Sequence, residues 1–201
     1  MKILDIGCGD KKVKISSYKV DGIDKLKTKD VDIVCNIEKE KWPIKDNTYD
    51  VIYANHVLEH VDNLPHVLRE IIRVGKHGST VKIKVPHFTN NGAFRDPTHR
   101  RFFAYRTFDH FALYKKRGLL YEKLPNYFPD IVFNIKKKRI LIHNPTNRKK
   151  LSFLKPIFWL IEELINKYLT SMKDILHLFF QPVNCILNLR LSNQRRNEED
   201  N

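Results

Sequence analysis

Leu4-Asp5-Ile6-Gly7-Cys8-Gly9-Asp10 stands near the start of the chain as an apolar run broken by two glycines. Lys2–Ile6 reads as a short buried strand, and the glycines that follow let the backbone turn and approach a ligand closely. A dinucleotide fingerprint would need a third glycine and a helix N-terminus to receive a pyrophosphate. The third glycine is absent. Asp5 and Asp10 flank the turn instead, where they would repel phosphate and suit a cationic ligand.

Outward from this turn the pattern repeats. Tyr18–Ile23 is a second strand closed by Asp24, an acid placed to take ribose hydroxyls. Val31–Val34 is a third strand. Tyr49–Ala54 is a fourth, preceded by the turn residues Lys45-Asp46-Asn47. Asp62-Asn63 caps a helix with Pro65 in its first turn, and Leu64, Val67, Leu68, Ile71 and Ile72 follow at helical spacing. Gly75 and Gly78 are expected to end it, and Ser79–Val85 alternates as a fifth strand. Strands joined by short helices imply a Rossmann-like α/β fold with a doubly wound, mostly parallel sheet.

Composition sets the bounds. The chain has 201 residues, 42% of them hydrophobic, enough for one domain with an ordinary core. Three cysteines (Cys8, Cys35, Cys185) are too few for a disulfide framework and suggest a reducing compartment. An acid and two glycines come too soon for a secretory leader, and no uncharged apolar run approaches the ~18 residues of a membrane span. Secreted, collagenous and transmembrane classes are excluded on this reading, and a cytoplasmic place is expected. The formal charge of +14 reads first as a solvated, lysine-rich surface. Lys136-Lys137-Lys138-Arg139 and Arg148-Lys149-Lys150 leave nucleic acid or an anionic membrane open as partners.

These blocks, taken in order, resemble the class I S-adenosylmethionine-dependent methyltransferases, specifically the type 11 group. Leu4–Asp10 is similar to its first motif and Gly22-Ile23-Asp24 to its second. Cys35-Asn36-Ile37 is similar to the adenine-contact position. Tyr49-Asp50-Val51-Ile52-Tyr53-Ala54-Asn55-His56-Val57-Leu58-Glu59-His60-Val61 is similar to the fourth motif. Glu70–Gly78 is similar to the helix and turn before strand five. The resemblance covers about Lys2–Val85. It implies a seven-stranded sheet with an antiparallel seventh strand, and S-adenosylmethionine as cofactor. It implies that Asp5, Gly7, Cys8 and Gly9 border the methionine part and that Asp24 takes the ribose. Asn36 and Ile37 would border the adenine, with Asn55 and His56 facing the sulfonium. A capping role is the alternative for Asn36. The stretch from Ile6 to Tyr18 is short for a parallel crossover, so its helix is expected to be a turn or two, or absent. Cys8 and Cys35 read more simply as small buried residues.

His87–Arg106 reads as a long ordered loop, and loops of this length usually carry function. The family places its acceptor over the ends of strands four and five. Phe94–Phe103 resembles a segment of a subgroup with links to surface-polysaccharide synthesis. His87 and His99 are the candidate catalytic bases, with Asp96 as orienter. Arg95, Arg100, Arg101 and Arg106 are candidates to hold an anionic acceptor. The alternative is a capped turn built from Asp96, Thr98 and His99. His56, His60, Asp96 and His99 are metal-ligand types, but the spacing is not His-Glu-x-x-His, and no metal is expected.

Thr107–Arg117 is expected to be a helix and Ile131–Ile142 a strand. After Pro156 an amphipathic helix carries Ile157, Leu160, Ile161, Leu164, Ile165, Tyr168 and Leu169 as its stripe. It would pack on the sheet, form a dimer, or lie on a membrane surface through 155–169. Val183–Leu191 is the last strand. The expected organisation is a single domain over 1–192, with 143–181 inserted between strands six and seven and 193–201 a disordered polar tail. The reading is methyl transfer to an oxygen or nitrogen of a small or saccharide-like anionic acceptor. The rivals are an RNA methyltransferase, with nucleic acid as partner, and a non-catalytic S-adenosylmethionine-binding protein.

Overall fold

The computed structural model describes residues 1–112, 127–142, 155–168 and 182–191. Seven strands form one sheet: β1 (Ile3–Ile6), β2 (Val20–Asp24), β3 (Ile33–Val34), β4 (Tyr49–Asn55), β5 (Gly75–Pro86), β6 (Phe133–Ile142) and β7 (Pro182–Leu191). Their order is β3-β2-β1-β4-β5-β7-β6. Neighbours from β3 to β5 are parallel, and β7 runs antiparallel between β5 and β6. This is the Rossmann-like, mostly parallel sheet expected. β1 has parallel neighbours on both edges and is buried along its whole length, Asp5 included among its apolar residues. The strand order reverses between β1 and β4, and open α/β sheets take ligands at the carboxyl ends of such a pair. Ile6 is level with Ile23 and with Ala54, so Gly7, Asp24 and Asn55 leave the sheet side by side.

The three crossovers joining β1 to β4 contain no helix. Each is short and rich in Lys and Asp, and side-chain bonds hold them where a helix would otherwise pack. Asp5 Oδ2 accepts the Val13 N–H (2.8 Å), and Lys12 pairs with Asp32 (2.6 Å), whose other bond is to the Gly22 N–H (2.7 Å). The first crossover was expected to hold a turn or two of helix or none, and it holds none; the expectation of short helices in the next two crossovers is corrected.

The helix after β4 is full length. In α1 (Leu64–Val74), Asn63 Oδ1 caps the His66 N–H, Pro65 fills the first turn, and Leu64, Val67, Leu68, Ile71 and Val74 are buried. Its Glu70 carboxylate is buried but satisfied: Arg73 pairs with it at 2.6 Å, and the Trp42 N–H donates at 2.8 Å. Arg73 also donates to Ile44 O and Trp42 O, which clips the 42–46 segment over the core. Gly75 does not end α1 with a turn. It has extended backbone, opens β5, and packs so tightly that a β-carbon would meet Leu191 Cδ1 at 2.4 Å. The turn sits at Gly78, with φ +72°, inside a register shift against β4.

After β5 the chain forms α2 (Asn91–Arg95) and a 3-10 turn at Thr107–Phe111. The expected helix from Thr107 is thus five residues long among those described. The cationic run on β6 is half consumed: Lys138 pairs with Asp109 (2.5 Å) and Arg139 with Glu163 (2.9 Å) of α3 (Lys155–Tyr168). Lys136 and Lys137 stay exposed on this edge strand, where charge discourages edge-to-edge pairing. Glu162 and Glu163 pair with Arg139 while Ile157, Leu160 and Leu164 are exposed, so these three do not pack on the sheet, one of the three arrangements expected for the stripe. No helix among the described residues is long and apolar enough to cross a membrane. Arg148–Lys150, Leu169 and 193–201 lie outside the described residues.

Candidate active site

The turn after β1 needs its glycines. Gly7 and Gly9 have φ of +62° and +54°, a region that costs an L-residue roughly 1–2 kcal/mol. Gly7 also packs against the turn after β4: a β-carbon there would lie 2.3 Å from Val57 Cγ2. At Gly9 a β-carbon would meet nothing within 4 Å, so the loop offers open backbone at that point.

Asp24 holds this loop. Its Oδ2 accepts the Gly9 N–H (3.0 Å) and its Oδ1 the Leu26 N–H (3.1 Å), while Thr28 Oγ1 donates to Gly9 O (2.5 Å). Asp24 is half-buried, and a carboxylate with two acceptor oxygens has capacity beyond these bonds. Asp5 is placed differently from expectation. It is 3% exposed, faces inward beneath the loop, and its carboxyl is pushed up to about 6 by burial. It therefore supports the loop instead of bordering a ligand. Cys8 is buried, and burial with Asp5 and Asp24 nearby pushes its thiol up to about 11, which makes it a packing residue. Asn36 Oδ1 accepts the Glu38 N–H (3.1 Å), the capping role held as its alternative, and Ile37 is buried over Trp42, whose Nε1–H donates to Ile37 O (3.1 Å).

Asn55 ends β4, and His56 follows with φ +53°, a strained backbone for a non-glycine residue of the kind that gathers at functional sites. Its N–H donates to Lys84 O (2.8 Å). Its Nδ1 lies 3.1 Å from Glu59 Oε1, while its side chain is 42% exposed. Glu59 is 1% exposed. An imidazole open to solvent with a buried carboxylate behind it is the arrangement of a general base and its orienter. Glu59 was missed as a functional residue from sequence. Its only signal was an acid inside the apolar run Val57-Leu58-Glu59-His60-Val61.

The segment after β5 docks on the same turn. Glu59 O accepts both the Arg100 N–H (2.7 Å) and the Arg101 N–H (3.0 Å), and the His60 and His99 rings meet edge to face at 4.7 Å. His99, Asp96 and Arg100 are thereby brought to the end of β4, as expected, but His87 is not. It is fully buried, its Nδ1 bonds Thr89 Oγ1 (2.9 Å), and burial drives its imidazole down to about 4. It cannot reach an acceptor and is corrected to a core residue. Asp96 is the head of a capped turn: its Oδ1 accepts from Thr98 N (2.9 Å) and Oγ1 (2.7 Å), which holds its carboxyl below the usual range. Its Oδ2 lies 3.9 Å from His99 Nε2, too far for a hydrogen bond. Arg101 donates to Val61 O (2.7 Å) and to Asp62 O and so fastens the segment; Arg106 lies 3.6 Å from Asp109. Arg101 is therefore held to the backbone and not presented to a ligand as expected, while Arg106 is partly exposed beside Asp109. Arg95 and Arg100 are exposed and stand near Phe94 and Phe102 in sequence, and the rings of those two residues stack at 4.4 Å and are 60% and 47% exposed.

Residues 4–83 match the model of a methyltransferase-domain family of type 11. No protein of curated function matches the chain. Among solved structures, a SAM-dependent methyltransferase of Archaeoglobus fulgidus is similar at 15% identity and a TM-score of 0.57, over 94% of this chain and 85% of that one. The YcgJ protein of Bacillus subtilis is similar at 17% identity and a TM-score of 0.55, over 96% of this chain and 92% of that one. A SAM-dependent methyltransferase of Methanosarcina mazei is similar at 14% and 0.54, over 96% and 93%. At such identities these three likenesses are of fold.

Proposed function

We propose that the chain, whose residues 4–83 match the type 11 methyltransferase-domain model, is an S-adenosylmethionine-dependent methyltransferase that methylates a hydroxyl of a saccharide-like anionic acceptor. The residues fit this donor. Acids and open glycine backbone surround the switch point, and the turn lacks the third glycine a pyrophosphate would need. Gly7, Gly9 and Asp24 would hold it, with Asn55 and His56 at the end of β4. It supplies a methyl group made electrophilic by its sulfonium. The chain's own contribution is alignment of the acceptor for in-line displacement, exclusion of water, and removal of a proton.

The proton falls to His56. Glu59 accepts from its Nδ1, which leaves Nε2 as the basic nitrogen on the exposed side of the ring. Asp96 braces the segment that brings His99 to the same place. The observation that carries the acceptor class is the exposed Phe94–Phe102 pair, with the exposed Arg95 and Arg100 near it in sequence. Flat apolar faces suit the carbon faces of a sugar ring, and guanidinium groups suit a phosphate or carboxylate on it.

The test is a transfer assay with labelled donor against sugar phosphates, nucleotide sugars, acidic oligosaccharides and total RNA. Methylation of an anionic saccharide is expected. In Phe94→Ala and Arg95→Ala/Arg100→Ala its KM should rise about tenfold or more, with kcat little changed. Methylation of RNA alone, with steeply salt-dependent binding, would replace this acceptor with nucleic acid.

A further inference from the structure

The carboxylate of Glu59 is only half accounted for. Oε1 meets His56, but Oε2 is buried and has no hydrogen-bond partner among the described residues. A buried carboxylate oxygen left unpaired is costly, and such a group calls for a specific reason. The reason lies in what surrounds it. One ligand atom each from Glu59, His60 and His99 lies within 4.8 Å of the others.

Both imidazoles are set for coordination. Ala93 O can only accept, so His99 Nδ1, 2.8 Å away, carries the proton and Nε2 carries the lone pair. His60 follows by one more step. Thr98 Oγ1 spends its hydrogen on Asp96 Oδ1 (2.7 Å) and thus accepts from His60 Nδ1 (3.0 Å), with Thr98 O at 3.3 Å on the same nitrogen. The lone pair of His60 is again on Nε2. A backbone or hydroxyl partner on Nδ1 that fixes the tautomer is the outer shell usual for metal-binding histidines. The two segments that bring these residues together are locked by the bonds from Arg100 and Arg101 to Glu59 O.

We propose that Glu59, His60 and His99 bind a divalent transition-metal cation. Two imidazoles and a carboxylate make a borderline donor set suited to Zn²⁺, Fe²⁺, Co²⁺ or Mn²⁺, with coordination positions left for an oxygen ligand. His99 and His60 are then ligands, and the sequence-based expectation of no metal is revised. The site is adjacent to the proposed base, because one carboxylate serves both. An acceptor hydroxyl bound to the cation would be acidified and held near His56. Cation binding itself does not depend on the acceptor being a saccharide, or on transfer being observed.

The test uses the whole chain, stripped with a chelator and dialysed. Co²⁺ is titrated while visible ligand-field absorption is followed, and Zn²⁺ is titrated by calorimetry. One equivalent should bind. His60→Gln and His99→Gln should each weaken binding at least about tenfold, and Thr98→Val, which removes a partner of His60, should weaken it by about tenfold. His66→Gln, on the outer face of α1, should bind as wild type. Because Glu59 is buried, Glu59→Gln is informative only where circular dichroism matches the wild type; the two histidine variants stand without it. Absence of Co²⁺ absorption by the folded chain, or binding retained in the His60→Gln/His99→Gln double variant, would overturn the proposal. Donor binding measured on the same variants should stay within about twofold of wild type, so loss of the cation is distinguishable from loss of the methyltransferase site.

Discussion

The Gly9 N–H donates to Asp24 Oδ2 at 3.0 Å, so the residue that would take the ribose also holds the loop that would meet the methionine part. The two halves of the proposed donor site would therefore be coupled through one carboxylate. Asp24→Asn keeps an acceptor for Gly9 but loses the charge and some acceptor capacity, and should weaken donor binding about tenfold. Asp24→Ala also frees the loop and should weaken it further. Calorimetry on both variants reads the difference, and equal losses would mean that the loop bond contributes nothing.

Gly7 and Gly9 should tolerate alanine differently. Both pay the left-handed backbone penalty, roughly 1–2 kcal/mol. Only Gly7 adds a steric clash, with a β-carbon 2.3 Å from Val57 Cγ2, an overpacking cost typically of about 1–3 kcal/mol. Urea unfolding should show Gly7→Ala destabilised by about 2–5 kcal/mol and Gly9→Ala by about 1–2 kcal/mol. Val57→Ala should recover part of the first loss, since removing Val57 Cγ2 relieves the contact. Equal costs at the two glycines would contradict the packing.

Replacing His56 should act on the chemical step. His56→Gln removes the basic nitrogen and should lower kcat by about 10²–10⁴-fold, with the KM for the donor changed by less than about threefold. A parallel rise in that KM would place His56 in donor binding alone.

Stability should respond to pH through two buried groups of opposite sign. Asp5 is raised to about 6, so the stability it contributes is complete below its unfolded value near 4 and is lost as pH rises through 6. His87 is lowered to about 4, so its contribution is complete above its unfolded value near 6.5 and is lost as pH falls through 4. Between about pH 4 and 6 the two offset each other. Urea unfolding should show that Asp5→Asn becomes more stable as pH rises across this window, relative to wild type. His87→Gln should become less stable, each by up to roughly 3 kcal/mol. Variants that keep the wild-type profile would contradict the burial of these groups.

The fold was legible from sequence wherever burial leaves its mark on pattern. The apolar run at β1 and the alternation of β5 follow from which faces meet the core, and the α1 stripe is capped where Asn63 precedes Pro65. The missing crossover helices were only half legible. Short linkers were visible, but the bonds that replace helices, such as Asp5 to Val13, join residues with no local signature. Of the three arrangements open to α3, packing of its stripe on the sheet is the one that Ile157, Leu160 and Leu164 do not follow, because Arg139, distant in sequence, pairs with Glu162 and Glu163. At the site, residue types guided the choice of His87, His99 and the arginines, but type does not reveal burial. His87 is enclosed, Arg101 is spent on Val61 and Asp62, and the carboxylate that organises the cluster, Glu59, looks in sequence like part of an apolar motif.

Gly7, Gly9 and Asp24 would form the donor site at the switch point between β1 and β4. Its most direct test is calorimetry of the whole chain with S-adenosylmethionine and with its demethylated product, comparing wild type with Asp24→Ala. One site per chain should bind both ligands with micromolar affinity, weakened at least tenfold in the variant. A folded wild-type chain that binds neither ligand, or an Asp24→Ala variant that binds both as well as wild type, would contradict it.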